Sequence, residues 1–202
     1  MRRTHRKEPK QARSKALVDA LLTATEHVVA ELGLDGATTE AIAARAGVSI
    51  GSLYQYFADK EALLAAAIAR RSAQGNDAMV AEAEDGSRRP LHDAIDAMVR
   101  LLVKTFAAEP AVYASLDREA DRVGEQSPHR EDLERVIEAS RVLLAAHKEA
   151  IAPRDPATSA FVLTVACTSV VRDATASRPE LLANDTLIDE LNALCLGYLG
   201  QA

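Results

Sequence analysis

Hydrophobic residues recur along the chain at the three- and four-residue spacing of amphipathic helices, and nowhere does apolar–polar alternation run long enough to predict a strand. The first stripe, Leu17, Leu21, Leu22, Val28, Val29 and Leu32, predicts a helix that stops at Gly33 and Gly36. A short helix over 40–46 follows, with Ile42 and Ala43 inward, and Gly47 closes it. From Lys60 the spacing predicts helices near 60–84, 91–107, 110–124, 129–151, 157–177 and 185–199. Six of the seven prolines, from Pro90 to Pro179, fall in this second part as helix starts and stops, whereas residues 10–89 are punctuated by glycine. The chain thus reads as all-α, with about nine helices in two domains, the boundary lying inside the helix that begins near Lys60.

Two of the later helices are unusual. The run Phe161–Val171 is apolar or small on every side yet too short to span a membrane, so its own core must cover one face and something else the other. The last helix carries Leu187, Ile188, Leu191, Leu194, Cys195, Tyr198 and Leu199 as a continuous stripe. Together they predict a two-fold dimer interface, with Val165, Thr168, Arg172, Leu187, Leu191, Leu194 and Tyr198 as its residues; the alternative is the interior of a monomer.

Between Thr38 and Lys60 the chain reads TTEAIAARAGVSIGSLYQYFADK. Thr38 or Thr39 can cap the helix over 40–46, Gly47 supplies a left-handed turn residue, Val48 plugs the core beneath it, and Ser49 caps the next helix. The pattern is helix, turn, helix. In the second helix Leu53 and Phe57 can anchor one face, so Tyr54, Gln55 and Tyr56 cannot all point inward. A surface of Ser49, Ser52, Tyr54, Gln55 and Tyr56 offers neutral donors and acceptors suited to phosphates and base edges in a DNA major groove. It holds no lysine or arginine. Phosphate neutralisation falls to neighbours such as Lys60, which follows the cap Asp59; a cation in a helix's first turn opposes the macrodipole, so a compensating anion is expected beside it.

Charge distribution fits such a division of labour. The net charge is −6, but residues 1–71 hold eleven Lys/Arg against eight Asp/Glu, and the remainder thirteen against twenty-two. Residues 1–10 read as a flexible basic arm, and the carboxylates Asp117, Glu119, Asp121 and Glu125 as a solvated helix face. Apolar runs stay short of the roughly eighteen residues a membrane span needs, and the basic, polar N-terminus is unlike a secretion signal, which places the chain in the cytoplasm. Cys167 and Cys195 form no CxxC pair and are expected as buried, inert helix residues that would sense oxidants only if exposed. The five histidines show no i, i+4 pairing, so neither a metal nor any other cofactor is expected. With no Gly-rich phosphate loop and no nucleophile motif, a helical enzyme is a remote alternative.

The series Thr38-Thr39-x-x-Ile42-Ala43, Gly47-Val48-Ser49-x-Gly51-x-Leu53-Tyr54-x-Tyr56-Phe57-x-x-Lys60-x-x-Leu63-Leu64 resembles the N-terminal domain of TetR-family transcriptional regulators, in order and spacing over roughly residues 12–70. The resemblance implies a DNA-binding domain over 11–59, a helical ligand-binding and dimerisation domain over 60–202, and dimerisation through the last two helices. It further implies phosphate contacts from Thr38 and Thr39, groove or backbone contacts from Ser49, Gly51, Ser52, Tyr54, Gln55 and Tyr56, and a phosphate clamp at Lys60. Many relatives carry Lys or Pro after the equivalent serine; this chain has Ile50, which could meet a thymine methyl. The expected function is a repressor that binds an inverted-repeat operator as a homodimer and is released by a small molecule. Phe106, Tyr113, His147, Phe161 and Thr164 are the candidate pocket residues. Control by a protein partner, or by no effector, is the alternative.

Overall fold

The structure, a computed structural model, describes residues 12–123, 128–152 and 155–200, with side chains described over 13–116, 133–152 and 155–200. The expected basic arm and the carboxylates at 117, 119, 121 and 125 lie outside the described residues or side chains. Among the described residues there are nine α-helices and no strand: α1 (Ala12–Gly36), α2 (Thr39–Ala46), α3 (Ile50–Tyr56), α4 (Lys60–Gly86), α5 (Leu91–Ala107), α6 (Pro110–Val123), α7 (Pro128–Ala146), α8 (Pro156–Ser177) and α9 (Thr186–Tyr198), with a 3-10 turn at Pro179–Leu182. The chain divides into two compact units, one running to Ser72 with a segment from Ala114, the other holding Ala73–Tyr113 and the chain from Pro128.

In the first unit α1 lays Val18, Leu21, Leu22, Ala24, Val28 and Val29 into a core shared with Ile42, Leu53, Phe57, Leu63 and Leu64. Gly33 breaks the helix at φ 69°, a backbone conformation that only glycine reaches without penalty. Leu32, the last residue of the expected stripe, consequently lies on the outside, 57% exposed. A buried ion cluster ties α1 to the first half of α4: Glu26 accepts from Arg70 at 2.6 Å and from Arg71 at 2.8 Å, while Arg70 also donates to the Asp19 carbonyl and to Thr23 Oγ1, each at 3.0 Å.

The second unit packs α5, α7, α8 and α9 with the end of α4 around Leu91, Val99, Leu102, Val103, Leu143, Leu163, Val171, Leu187, Leu191 and Leu199. Six of the expected later helices recur within a few residues, except that α7 stops at Ala146 rather than 151. His147 ends it, with Nδ1 2.9 Å from the Leu143 carbonyl and Nε2 2.8 Å from the Arg89 carbonyl. Asp96 joins α5 to α9, accepting from Arg100 Nε at 2.8 Å and Asn192 Nδ2 at 2.7 Å.

Arg100 first, and then Asn192, hold the Asp96 carboxyl below its usual range. A carboxyl whose pKa is lower in the folded chain contributes stability above its unfolded pKa and loses it as pH falls through the folded value. Urea midpoints of the native protein and D96N should therefore differ at about pH 7 and draw together progressively below about pH 4. A gap that stays constant on acidification would count against the ion pair as its source.

Candidate nucleic-acid interface

The helix-turn-helix is built from short-range caps. Thr38 begins α2 in extended backbone, its Oγ1 accepting from the Ala41 N–H at 3.1 Å. Gly47 ends it at φ 69°, ψ 29°, donating back to the carbonyls of Ala43 and Ala44, and Val48 N–H bonds the Ala43 carbonyl at 3.0 Å. Ser49 then caps α3: its Oγ accepts from Ser52 N–H at 3.1 Å and lies 2.8 Å from Ser52 Oγ. Leu53, Tyr56 and Phe57 are buried beneath. Thr38 and Ser49 each satisfy a donor the helix leaves open, so Ser49→Ala should lower the stability of the chain by about 1 kcal/mol in urea denaturation. A change within experimental scatter would mean that the Ser49–Ser52 bond carries no load.

These caps fix which side chains meet solvent. Ser49, Ile50, Gly51, Tyr54 and Gln55 are exposed and Ser52 is half-buried, forming a contiguous surface around the first turns of α3. Tyr54 is steadied from α2, its hydroxyl 3.1 Å from Thr39 Oγ1. Thr39 in turn donates to Glu40 Oε2 at 3.4 Å, which leaves Tyr54 as the donor to Thr39. Thr39 itself is buried but for its edge, and Thr38 is exposed.

Two expectations need correction. Tyr56, expected at the outer surface, is only 7% exposed and belongs to the core face with Leu53 and Phe57, because α3 places it three residues from Leu53. Among the described residues Lys60 forms no ion pair; its Nζ donates to the Leu34 carbonyl at 3.0 Å, closing the C-terminal end of α1, where a cation is favoured. The macrodipole of α1, 26 residues away in sequence, thus offsets the unfavourable one of α4. A cation absent from the sequence reading is Arg45, in the last turn of α2; it pairs with Glu31, whose carboxyl it draws below the usual range. Its one advance sign was a basic residue placed at a helix end.

The pocket and interface candidates of the second unit are distributed differently from the expectation. Phe106 and Tyr113 stack, ring centroids 4.4 Å apart, and Thr164 donates to Ser140 at 3.3 Å across α8 and α7. His147 has both ring nitrogens turned to backbone carbonyls, and Phe161 is 53% exposed on α8. Leu187 and Leu191 lie in the core of the second unit, whereas Leu194 and Arg172 are exposed and Val165, Thr168 and Tyr198 are half-buried. The exposed apolar residues of α8 are Phe161, Val162 and Val170. Among the described residues no cluster of ligating side chains could hold a metal, and no helix is long and apolar enough to cross a membrane.

Comparison with known proteins covers both units. Residues 21–67 match the family of bacterial regulatory proteins of the TetR type, and residues 90–199 match the tetracyclin repressor-like C-terminal domain. The HTH-type transcriptional repressor BepR of Brucella suis biovar 1 (strain 1330) is 30% identical over 112 residues, 54% of either chain, so the match spans about half the length of that relative. A TetR-family regulator structure from Mesorhizobium loti MAFF303099 superimposes with a TM-score of 0.75 at 20% identity, covering 93% of this chain and 98% of that one. The fatty acid degradation regulator FadR from Bacillus halodurans gives a TM-score of 0.69 at 21% identity, covering 89% and 97%. At such identities the two structures speak for the fold, and the matched domains speak for the family. The chain belongs to the TetR family of transcriptional regulators.

Proposed function

We propose that the chain is a homodimeric repressor, with residues 11–59 reading an inverted-repeat operator and residues 60–202 forming the dimer and answering to a small-molecule effector. The observation that carries the DNA half of this reading is the capped, neutral polar surface of α3, where Ser49, Ser52, Tyr54 and Gln55 stand at the surface over a packed face of Leu53, Tyr56 and Phe57. Hydroxyl and amide groups so placed can donate to phosphate oxygens and read base edges; Ile50, 37% exposed, can meet a thymine methyl. Thr38 and Lys60 would position the backbone from either side of the turn, and Arg45 adds a cation. Tyr56 and Thr39 act from beneath, through packing and through the hydroxyl of Tyr54.

The dimer half is supported by the large apolar residues that α8 and α9 leave at the surface, Phe161, Val162, Val170 and Leu194, since a second copy would take such side chains out of water. A two-fold dimer would offer its two α3 helices to successive major grooves about 34 Å apart. An effector taken up among the helices of the second unit, beside the Phe106–Tyr113 stack and Thr164, would release DNA by favouring another separation, with a coupling of about 1–3 kcal/mol acting equally in both directions.

A gel-shift titration on the DNA upstream of its own gene, at two salt concentrations with excess nonspecific competitor, tests the DNA half directly. Saturable, salt-sensitive, competitor-resistant binding is the expected result. Ser49→Asp keeps a capping oxygen but sets a negative charge where phosphate should lie, so it should retain stability and lose operator affinity by at least about tenfold. Failure of the native protein on this DNA and on a random-sequence selection would overturn the reading.

A further inference from the structure

The two cysteines of the chain lie 28 residues apart, on α8 and α9, yet their sulfurs meet at 3.5 Å inside the core of the second unit. Neither is disulfide-bonded, and both are buried, Cys167 at 6% and Cys195 at 3% exposure. A disulfide needs about 2.05 Å between sulfurs, so the pair is one modest side-chain adjustment from bonding distance. No other cysteine exists in the chain to compete for either partner. We propose that Cys167 and Cys195 form a reversible redox pair that closes to an intrachain disulfide when a small hydroperoxide reaches the helical core.

The order of events follows from the S–H···S contact. Either sulfur can donate in that contact; with Cys195 donating, the Cys167 proton is lost more easily, while the same contact, with burial, pushes the Cys195 thiol up. In that arrangement Cys167 is the attacking sulfur; with donation reversed the two exchange roles and the products are the same. The Cys167 thiolate takes the terminal oxygen of the hydroperoxide, the O–O bond breaks, and the alkoxide or hydroxide that leaves is protonated, giving Cys167 sulfenic acid. The Cys195 sulfur then attacks the Cys167 sulfur, the S–O bond breaks, and the departing hydroxide takes the Cys195 proton as water. Two thiols and one hydroperoxide become one disulfide, one alcohol or water, and one further water. The two electrons lost by the sulfurs reduce the O–O bond. Burial selects the oxidant: a hydroperoxide of a few heavy atoms can enter by local opening, whereas glutathione disulfide is too large to reach either sulfur.

The test uses the native full chain, kept well below its melting transition and monitored by circular dichroism so that the fold stays intact. After exposure to hydrogen peroxide the protein is denatured in N-ethylmaleimide and weighed. The expected result is a chain about 2 Da lighter with no maleimide attached, monomeric on a nonreducing gel, with a peptide cross-link between 167 and 195 that dithiothreitol removes. Glutathione disulfide should act at least about tenfold more slowly. In Cys195→Ser or Cys167→Ser the remaining cysteine should stop at a sulfenic acid trapped by dimedone. Two maleimides on every peroxide-treated chain, a cross-link between chains, or a disulfide that forms only as the fold is lost would each overturn the proposal. Should either serine variant fail to fold, the mass and peptide map of the native chain decide the matter alone.

Discussion

Val170→Glu should turn the protein into a monomer that binds a full operator at least about a hundredfold more weakly, while its helical content stays unchanged. Val170 is 41% exposed on α8, which also leaves Val162 exposed about two turns earlier; Leu194 is 47% exposed on α9. Across a two-fold axis every interface residue is used twice, so one substitution sets two carboxylates into the same contact. Burying two unpaired like charges costs several kcal/mol, more than a modest interface can absorb. A monomer touches one half-site and forfeits the chelate advantage of two linked reading heads. Sedimentation velocity, run beside the gel shift, separates the links: a variant that stays dimeric would remove α8 from the proposed interface, and a monomer with full affinity would remove dimerisation from operator binding. Leu194→Gln, a milder change on α9, guards against a subunit that fails to fold alone.

Glu26→Ala should be among the most damaging changes of a polar residue in the first unit, costing about 3 kcal/mol. The carboxylate is 3% exposed and receives both Arg70 and Arg71, whose side chains are themselves 19% and 14% exposed. Removing the anion takes from two largely buried cations the carboxylate they share, a worse state than having no cluster at all. Urea denaturation would show the loss, and a triple variant with apolar residues at all three positions should recover much of it. A loss below about 0.5 kcal/mol would mean that solvent reaches the arginines readily enough to replace Glu26.

Local features were the most legible in the sequence. Pro90 and Pro110 bracket α5, and its predicted bounds coincide with Leu91–Ala107; Thr38, Gly47 and Ser49 fix the ends of α2 and α3 through bonds that span three or four residues. Features that depend on distant partners were not. No glycine or proline announces the end of α7, because that end is made by His147 and the carbonyl of Arg89, 58 residues away. Glu26 looks like any acidic residue of an amphipathic helix until Arg70 and Arg71 fold against it. The leucine stripe of α9 was plain from its spacing, but spacing alone does not say which edge of a broad stripe meets the subunit's own core. Leu187 and Leu191 turned inward and Leu194 outward. Lys60 shows the same limit, since the carbonyl it closes belongs to α1.

The sequence of α3, IGSLYQY, carries no ionised side chain. Salt acts on protein–DNA affinity through the phosphates that cations neutralise, whereas hydroxyl and amide contacts to bases release no counterions. On the proposed reading, the grip and the choice of sequence therefore reside in different parts of the molecule. When osmotic stress raises the ionic strength of the cell, occupancy should fall on every stretch of DNA by a similar factor. The ratio between operator and bulk genome should hold, so that the regulator dissociates under stress without straying to the wrong promoter.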